Sequence, residues 1–295
     1  MQFADIKLDQ EKVAVQEAVQ VPVQVIAITG GDGMSGKSSI AVNLAQALNM
    51  TGRRTLLLDA DPGMTNIHVL LGLEPEFTLF DVLNGNKTLD EVLLDGPSGV
   101  QIIPAASGGR KHAGIGPWEC AGLVRAFSDI SSPVDTLIID TASGTGDCTI
   151  SLCRAAGEVV IVLCGDPESF SSAVTLIETL HQESGISRFR VLPSKVASAS
   201  EASELFTMLL QRFSENHEVV LSCCGFIPQD ENLGTAASMC CSVISAFPRS
   251  RSAMALKNLA TRVMKWPRSG LPGGHLEFFV ERLIQNENMD MEVRS

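Results

Sequence analysis

The stretch VIAITGGDGMSGKSS, Val25 to Ser39, constrains this chain more than any other. An aliphatic run ends at Thr29, a glycine-rich turn follows, and a helical pattern opens near Lys37. Gly31 to Ser38 fits G-x-x-x-x-G-K-[ST], a spacing whose backbone N–H groups join a helix N-terminus to form an anion cradle. Such a cradle needs a strand to deliver the loop and a helix to leave it. The motif therefore predicts a strand–loop–helix unit within a parallel sheet.

The rest of the chain repeats that alternation. Short aliphatic runs occupy 23–29, 54–60, 100–105, 135–140, 158–164, 188–193 and 221–228. They are apolar almost throughout, as strands covered on both faces must be. Helical patterns lie between them, among them Ser38 to Met50, Glu119 to Ser128 and Ser169 to Glu183. The expected fold is α/β: a doubly wound, mostly parallel sheet with helices on both faces. Residues 1–21 read as a mobile arm, 22–270 as one nucleotide-binding domain, and 271–295 as a C-terminal helix with an acidic tail.

Composition narrows the function. The 295 residues carry a formal net charge of −12, which repels nucleic acid and anionic lipid unless a local patch reverses it. The eight cysteines include no C-x-x-C pair and sit mostly in apolar runs, so they read as reduced thiols of a cytoplasmic protein. The first twenty residues lack a signal-peptide pattern, and no apolar run approaches membrane-spanning length.

Within the loop, Lys37 is placed to reach the β- and γ-phosphates and Ser38 to coordinate Mg²⁺. Two acidic strand ends follow in LLLDADPG and LIIDTASGTGD. They bring Asp59, Asp61 and Asp140 to the sheet edge at which open α/β sheets bind ligands. Asp140 fits the metal-side carboxylate, Asp61 the group that orients attacking water, and Gly144 a backbone donor to the γ-phosphate. Asp59 reads equally well as a structural or helix-capping carboxylate.

DADPGMTNIHVLLGL, DTASGTGD and the C-terminal GGHLEFFVERLI resemble the MinD/ParA superfamily of deviant-Walker ATPases, and within it the flagellar-number regulators FleN and FlhG. The resemblance covers residues 22 to about 285. It implies a P-loop fold and ATP or ADP with Mg²⁺ bound along Gly31, Gly33, Met34, Ser35, Gly36, Lys37, Ser38 and Ser39. It also implies slow hydrolysis, ATP-driven dimerisation, and a protein partner such as a flagellar transcriptional activator or an intact family member. The implied location is the cytoplasm, with the cell pole as an option. Two positions depart from the pattern. Asp32 stands where the family places a lysine that crosses to the partner's nucleotide, and Ser194 stands where it commonly has an adenine-contacting Asn. A carboxylate there opposes a triphosphate. Binding by each subunit with impaired hydrolysis is therefore the reading, and dimerisation stays open.

Weaker signals remain. Arg249, Arg251, Lys257, Arg262, Lys265 and Arg268 form a basic segment that suits a solvated helix face or a partner patch equally. The acidic residues around HLEFFVERLI argue against stable membrane binding. His68 reads as a surface position beside the loop. Two rivals stand beside the main reading: a nucleotide-binding interaction protein without turnover, and a ParA-type DNA-segregation ATPase, which the acidic charge opposes.

Overall fold

The computed structural model describes residues 22–61, 67–104, 130, 133–215 and 217–268. The strands in chain order are β1 (Gln24–Thr29), β2 (Thr55–Ala60), β3 (Leu94–Asp95), β4 (Gln101–Ile103), β5 (Thr136–Thr141), β6 (Glu158–Leu163), β7 (Arg188–Val196), β8 (Val220–Cys223) and β9 (Ile227–Pro228). The sheet order is β3-β4-β2-β5-β1-β6-β7-β8, with β9 added to β7. Every pair is parallel except β3–β4, a short antiparallel edge that the sequence patterns did not reveal. The order reverses between β1 and its two neighbours, so the loop leaving β1 opens where the crossovers diverge.

The helices are α1 (Lys37–Met50), α2 (Ile67–Leu70), α3 (Leu79–Leu83), α4 (Leu89–Val92), α5 (Asp147–Ala155), α6 (Pro167–Ser184), α7 (Ala199–Arg212), α8 (Glu231–Ser238), α9 (Val243–Ala246) and α10 (Arg251–Val263). Alternate strand residues feed two layers, because successive side chains point to opposite sheet faces. Ile26 and Ile28 of β1 pack with α1 and α10, while Ala27 packs with α5, α6 and α7. A third apolar cluster joins Leu56, Leu58, Leu137 and Ile139 to α3 and α4. The expected doubly wound layering is what the described residues form. None of their helices is long and apolar enough to cross a membrane. The expected arm 1–21, the helical stretch Glu119 to Ser128 and the tail 271–295 lie outside the described residues.

Helix α1 is buried nearly all round, so its polar residues need internal partners. Ile244 N donates to Asn43 Oδ1 at 3.2 Å, and Asn43 Nδ2 donates to Ser39 O at 2.7 Å. Gln46 Nε2 donates to Ser98 Oγ at 3.0 Å and Ser245 Oγ at 2.9 Å, while Ser242 Oγ donates to Gln46 Oε1. Uncharged hydrogen bonds thus fasten the back of α1 to α9 and to the turn before β4.

Four of the six basic residues in the segment 249–268 donate to backbone carbonyls. Arg251 donates to Gln229 O, Lys257 to Pro248 O, Arg262 to Cys224 O and Arg268 to Pro22 O. These contacts give four of the basic side chains a part in holding α10 and its neighbours. Asp230 sits between two helix starts. It accepts from Asn232 N and Nδ2 at the head of α8 and from Ser252 N and Oγ at the head of α10.

Candidate functional site

The loop 30–36 leaves β1 and ends at Gly36, whose φ of 86° is the left-handed conformation that lets the chain turn into α1. Gly31 is required for a different reason. A Cβ there would lie 2.2 Å from the Ser172 carbonyl carbon, so the loop rests against the backbone of α6. At Gly33 the nearest atom to such a Cβ is Ser143 Oγ at 3.8 Å.

Lys37, the first residue of α1, is buried. Its Nζ donates to Asp32 O at 2.8 Å and to Ser143 Oγ at 2.6 Å. An ammonium has three donors, so one remains for an incoming anion. Burial lowers the Lys37 pKa, against the opposing pull of Asp140, Asp61, Asp32 and Cys164. The same edge of the sheet carries both candidate carboxylates: Asp140 pairs with Ile28 near the end of β1, and Asp61 follows β2, the strand next to β5.

Asp59 and Asp140 face each other in the β2–β5 register, and both are fully buried. Asp59 is a structural acceptor. It takes Ile67 N at the start of α2 at 2.9 Å and Asp61 N at 3.3 Å. Asp140 has no partner of hydrogen-bond geometry for either carboxylate oxygen among the described residues. Burial pushes its carboxyl up to about 8, opposed by the nearby Ser38 hydroxyl and Lys37 and reinforced by Asp59 and Asp61. A buried carboxylate without a partner, beside a serine hydroxyl, is the donor set that suits Mg²⁺. This ion takes one or two protein oxygens and completes its shell with water and phosphate. The residues present therefore fit the group.

The remaining expected residues form the loop or contact it. Ser35 is buried, its Oγ has no hydrogen-bond partner among the described residues, and its carbonyl accepts from Ser194 Oγ at 3.1 Å. Ser194 thus ties the loop to β7. Met34 is 80% exposed. Gly144 has a φ of 83° and donates its N–H to Gly30 O at 3.1 Å, so in this conformation that donor serves the loop.

Asp32 does not point along its own carbonyl. Its Oδ1 accepts from Met34 N at 2.7 Å and its Oδ2 from Ser169 Oγ at 2.5 Å. Beyond it opens a cavity of about 710 Å³, bordered by Gly33, Met34, Asp166, Glu168, Lys195 and Glu201.

His68 corrects the sequence reading. It is buried rather than exposed, its Nδ1 lacks a partner among the described residues, and burial lowers its pKa. Within the short helix α2 it is buried together with Ile67, while Val69 faces solvent. Three contributors escaped sequence reasoning. Ser143 was legible in principle, since it neighbours Gly144 in the loop after Asp140. Ser169 and Lys195, whose Nζ donates to Met34 O, come from elements far along the chain and carry no local signal.

A family model described as the CobQ/CobB/MinD/ParA nucleotide binding domain matches residues 26–239. Antiactivator FleN of Pseudomonas aeruginosa is 48% identical over 265 residues, spanning 90% of this chain and 95% of that protein. Septum site-determining protein MinD of Pyrococcus horikoshii, solved with Mg-ADP, is similar in structure with a TM-score of 0.66 at 20% identity, covering 82% of this chain and 96% of that one. A ParA family ATPase of Chlorobium tepidum gives a TM-score of 0.67 at 20% identity, over 81% and 98% of the two chains.

Proposed function

Because this chain belongs to the CobQ/CobB/MinD/ParA nucleotide-binding family, we propose that it is an ATP-binding regulator of the FleN kind. It controls flagellar number or assembly through a protein partner and hydrolyses ATP slowly. The observation that supports the reading is that Lys37 and Ser38 open α1 directly after the loop, while the neighbouring strands β5 and β2 carry Asp140 and Asp61 at the same edge of the sheet. The antiactivator name of the relative supports a protein target such as a transcriptional activator. The flagellar assignment draws on a further relative, the flagellum site-determining protein YlxH of Helicobacter pylori, 32% identical over 52% of this chain.

Each residue has a role in that reading. The loop N–H groups and the start of α1 bind the phosphates, where aligned peptide dipoles favour negative charge. The third donor of Lys37 turns to the β- and γ-phosphates. Ser38 and Asp140 hold Mg²⁺, which, when bound, neutralises phosphate charge. Asp61 orients the attacking water. Slow turnover follows from the acidic loop: Asp32 adds negative charge beside the site and offers no cation to stabilise charge on the transferred group.

Thermal melting with Mg-ADP, paired with an ATP hydrolysis assay, tests the assignment. Ligand at about a hundred times its dissociation constant adds roughly 2.7 kcal/mol when only the native state binds. Lys37→Ala is expected to remove most of that gain and all measurable turnover. An equal melting shift in both proteins overturns the site. Binding without hydrolysis in the wild type selects the non-hydrolysing interaction protein instead.

A further inference from the structure

Asp32 presents its two polar ends to opposite sides. Its carbonyl faces the cradle and accepts from Lys37 Nζ and Ser143 Oγ, each at 2.8 Å. Its carboxylate faces away, toward the first turn of α6. The donor waiting there is unusually well prepared. Ser169 is 1% exposed, and its Oγ already accepts from Cys164 N at 3.0 Å, so its own proton is directed outward to Asp32 Oδ2 at 2.5 Å. A hydroxyl that accepts one hydrogen bond while donating another is polarised into a stronger donor. The second carboxylate oxygen is occupied by Met34 N at 2.7 Å. The start of a long helix adds a favourable partial charge. Asp166, which caps the helix by accepting from Ser169 N at 2.8 Å, and Glu168 stand at the same helix start and oppose the arrangement, so the Ser169 hydroxyl works against their charge.

We propose that Ser169 is a positioning residue for nucleotide binding: it parks the Asp32 carboxylate on the head of α6 and so keeps a negative charge out of the phosphate cradle. This rests on the nucleotide-binding reading above and explains how an acidic residue is tolerated in a loop that holds polyphosphate. Without the anchor, Asp32 is free to swing on its loop toward the phosphates, where like charge opposes them at short range.

The test is a double-mutant cycle read by Mg-ADP titration calorimetry on the full chain, with amide hydrogen exchange of Met34 in the nucleotide-free protein. Ser169→Ala is expected to weaken Mg-ADP by about tenfold, the size of one charge-assisted hydrogen bond, and Ser169→Thr to restore it. Asp32→Asn is expected to tighten binding, and in that background Ser169→Ala is expected to change little, because no charge remains to be parked. Met34 is expected to exchange faster in Ser169→Ala. An unchanged affinity in Ser169→Ala, or an equal loss with and without the Asp32 charge, overturns the proposal while leaving the nucleotide site standing. Absence of Mg-ADP binding in all the proteins overturns the nucleotide reading and this inference with it. Unaltered Met34 exchange removes the anchor itself.

Discussion

Asp59 and Asp140 stand opposite one another on β2 and β5, equally buried, yet among the described residues only Asp59 finds hydrogen-bond donors for its carboxylate. Two like carboxylates in one register therefore have separate duties. One holds the backbone at Asp61 and at the start of α2, and the other, in the function proposed above, serves Mg²⁺.

That division predicts opposite mutational signatures. Asp59→Ala strands two backbone N–H groups and is expected to destabilise the nucleotide-free protein by about 2 kcal/mol. Asp140→Ala breaks no hydrogen bond of proper geometry and is expected to be milder, but to abolish the Mg²⁺-dependent part of nucleotide stabilisation. Urea denaturation with and without Mg-ADP separates the two. A larger loss for Asp140→Ala in the absence of ligand reverses the assignment.

Gly31→Ala and Gly33→Ala probe the seat of the loop. The first drives a methyl into the Ser172 backbone and is expected to destabilise by about 1–3 kcal/mol, as overpacking does. The second meets only Ser143 Oγ at van der Waals distance, so a loss within about 0.5 kcal/mol is expected. Thermal unfolding of the two variants side by side is sufficient. Equal losses would show that α6 does not back the loop.

Asp230 gives an acid-side prediction. Burial alone would raise its pKa, but the four hydrogen bonds from Ser252 and Asn232 outweigh it and hold the group well below the usual carboxylate range. A depressed folded pKa contributes stability that is fully present above the unfolded value, about 4, and is lost as pH falls further. Asp230→Ala is expected to lose about 1–2 kcal/mol near neutral pH, the scale of a lost helix cap, and to show a flatter stability curve below pH 4 or so. Parallel curves for the two proteins in acid would refute the linkage.

Asp32, Asp166, Glu168 and Glu201 surround the mouth of the cavity beside the loop, with Lys195 as the cation among its lining residues. Two copies approaching through this face repel, since like charges set against each other oppose association. Wild-type protein with a non-hydrolysable ATP analogue is expected to sediment mostly as a monomer, and Asp32→Lys to shift toward dimer. A robust analogue-dependent wild-type dimer would show that other contacts override the acidic rim.

The sheet was legible because parallel strands buried on both faces are written as continuous aliphatic runs. VQVIAIT, TLIID and EVVIVL each became a strand within a residue or two of its expected ends. The two-residue strand β3 was not, being too short for any period and half exposed. At the site, Lys37, Ser38 and Asp140 followed from motif spacing. The orientation of Asp32 did not, because its partner Ser169 lies 137 residues away and nothing local marks the pair. His68 was misread for a related reason: a four-residue helix has no periodicity from which its inner face can be told.

The fastening of α1 has a mechanical consequence. Behind the loop, Asn43 and Gln46 are held by neutral amides and hydroxyls, which ionic strength hardly affects. In front, the loop is held by Lys37, Lys195 and Asp32, all charged and all responsive to an arriving anion. The two sides of the helix therefore answer salt differently: added ions weaken the charged contacts that seat the loop and leave the neutral seat of α1 in place.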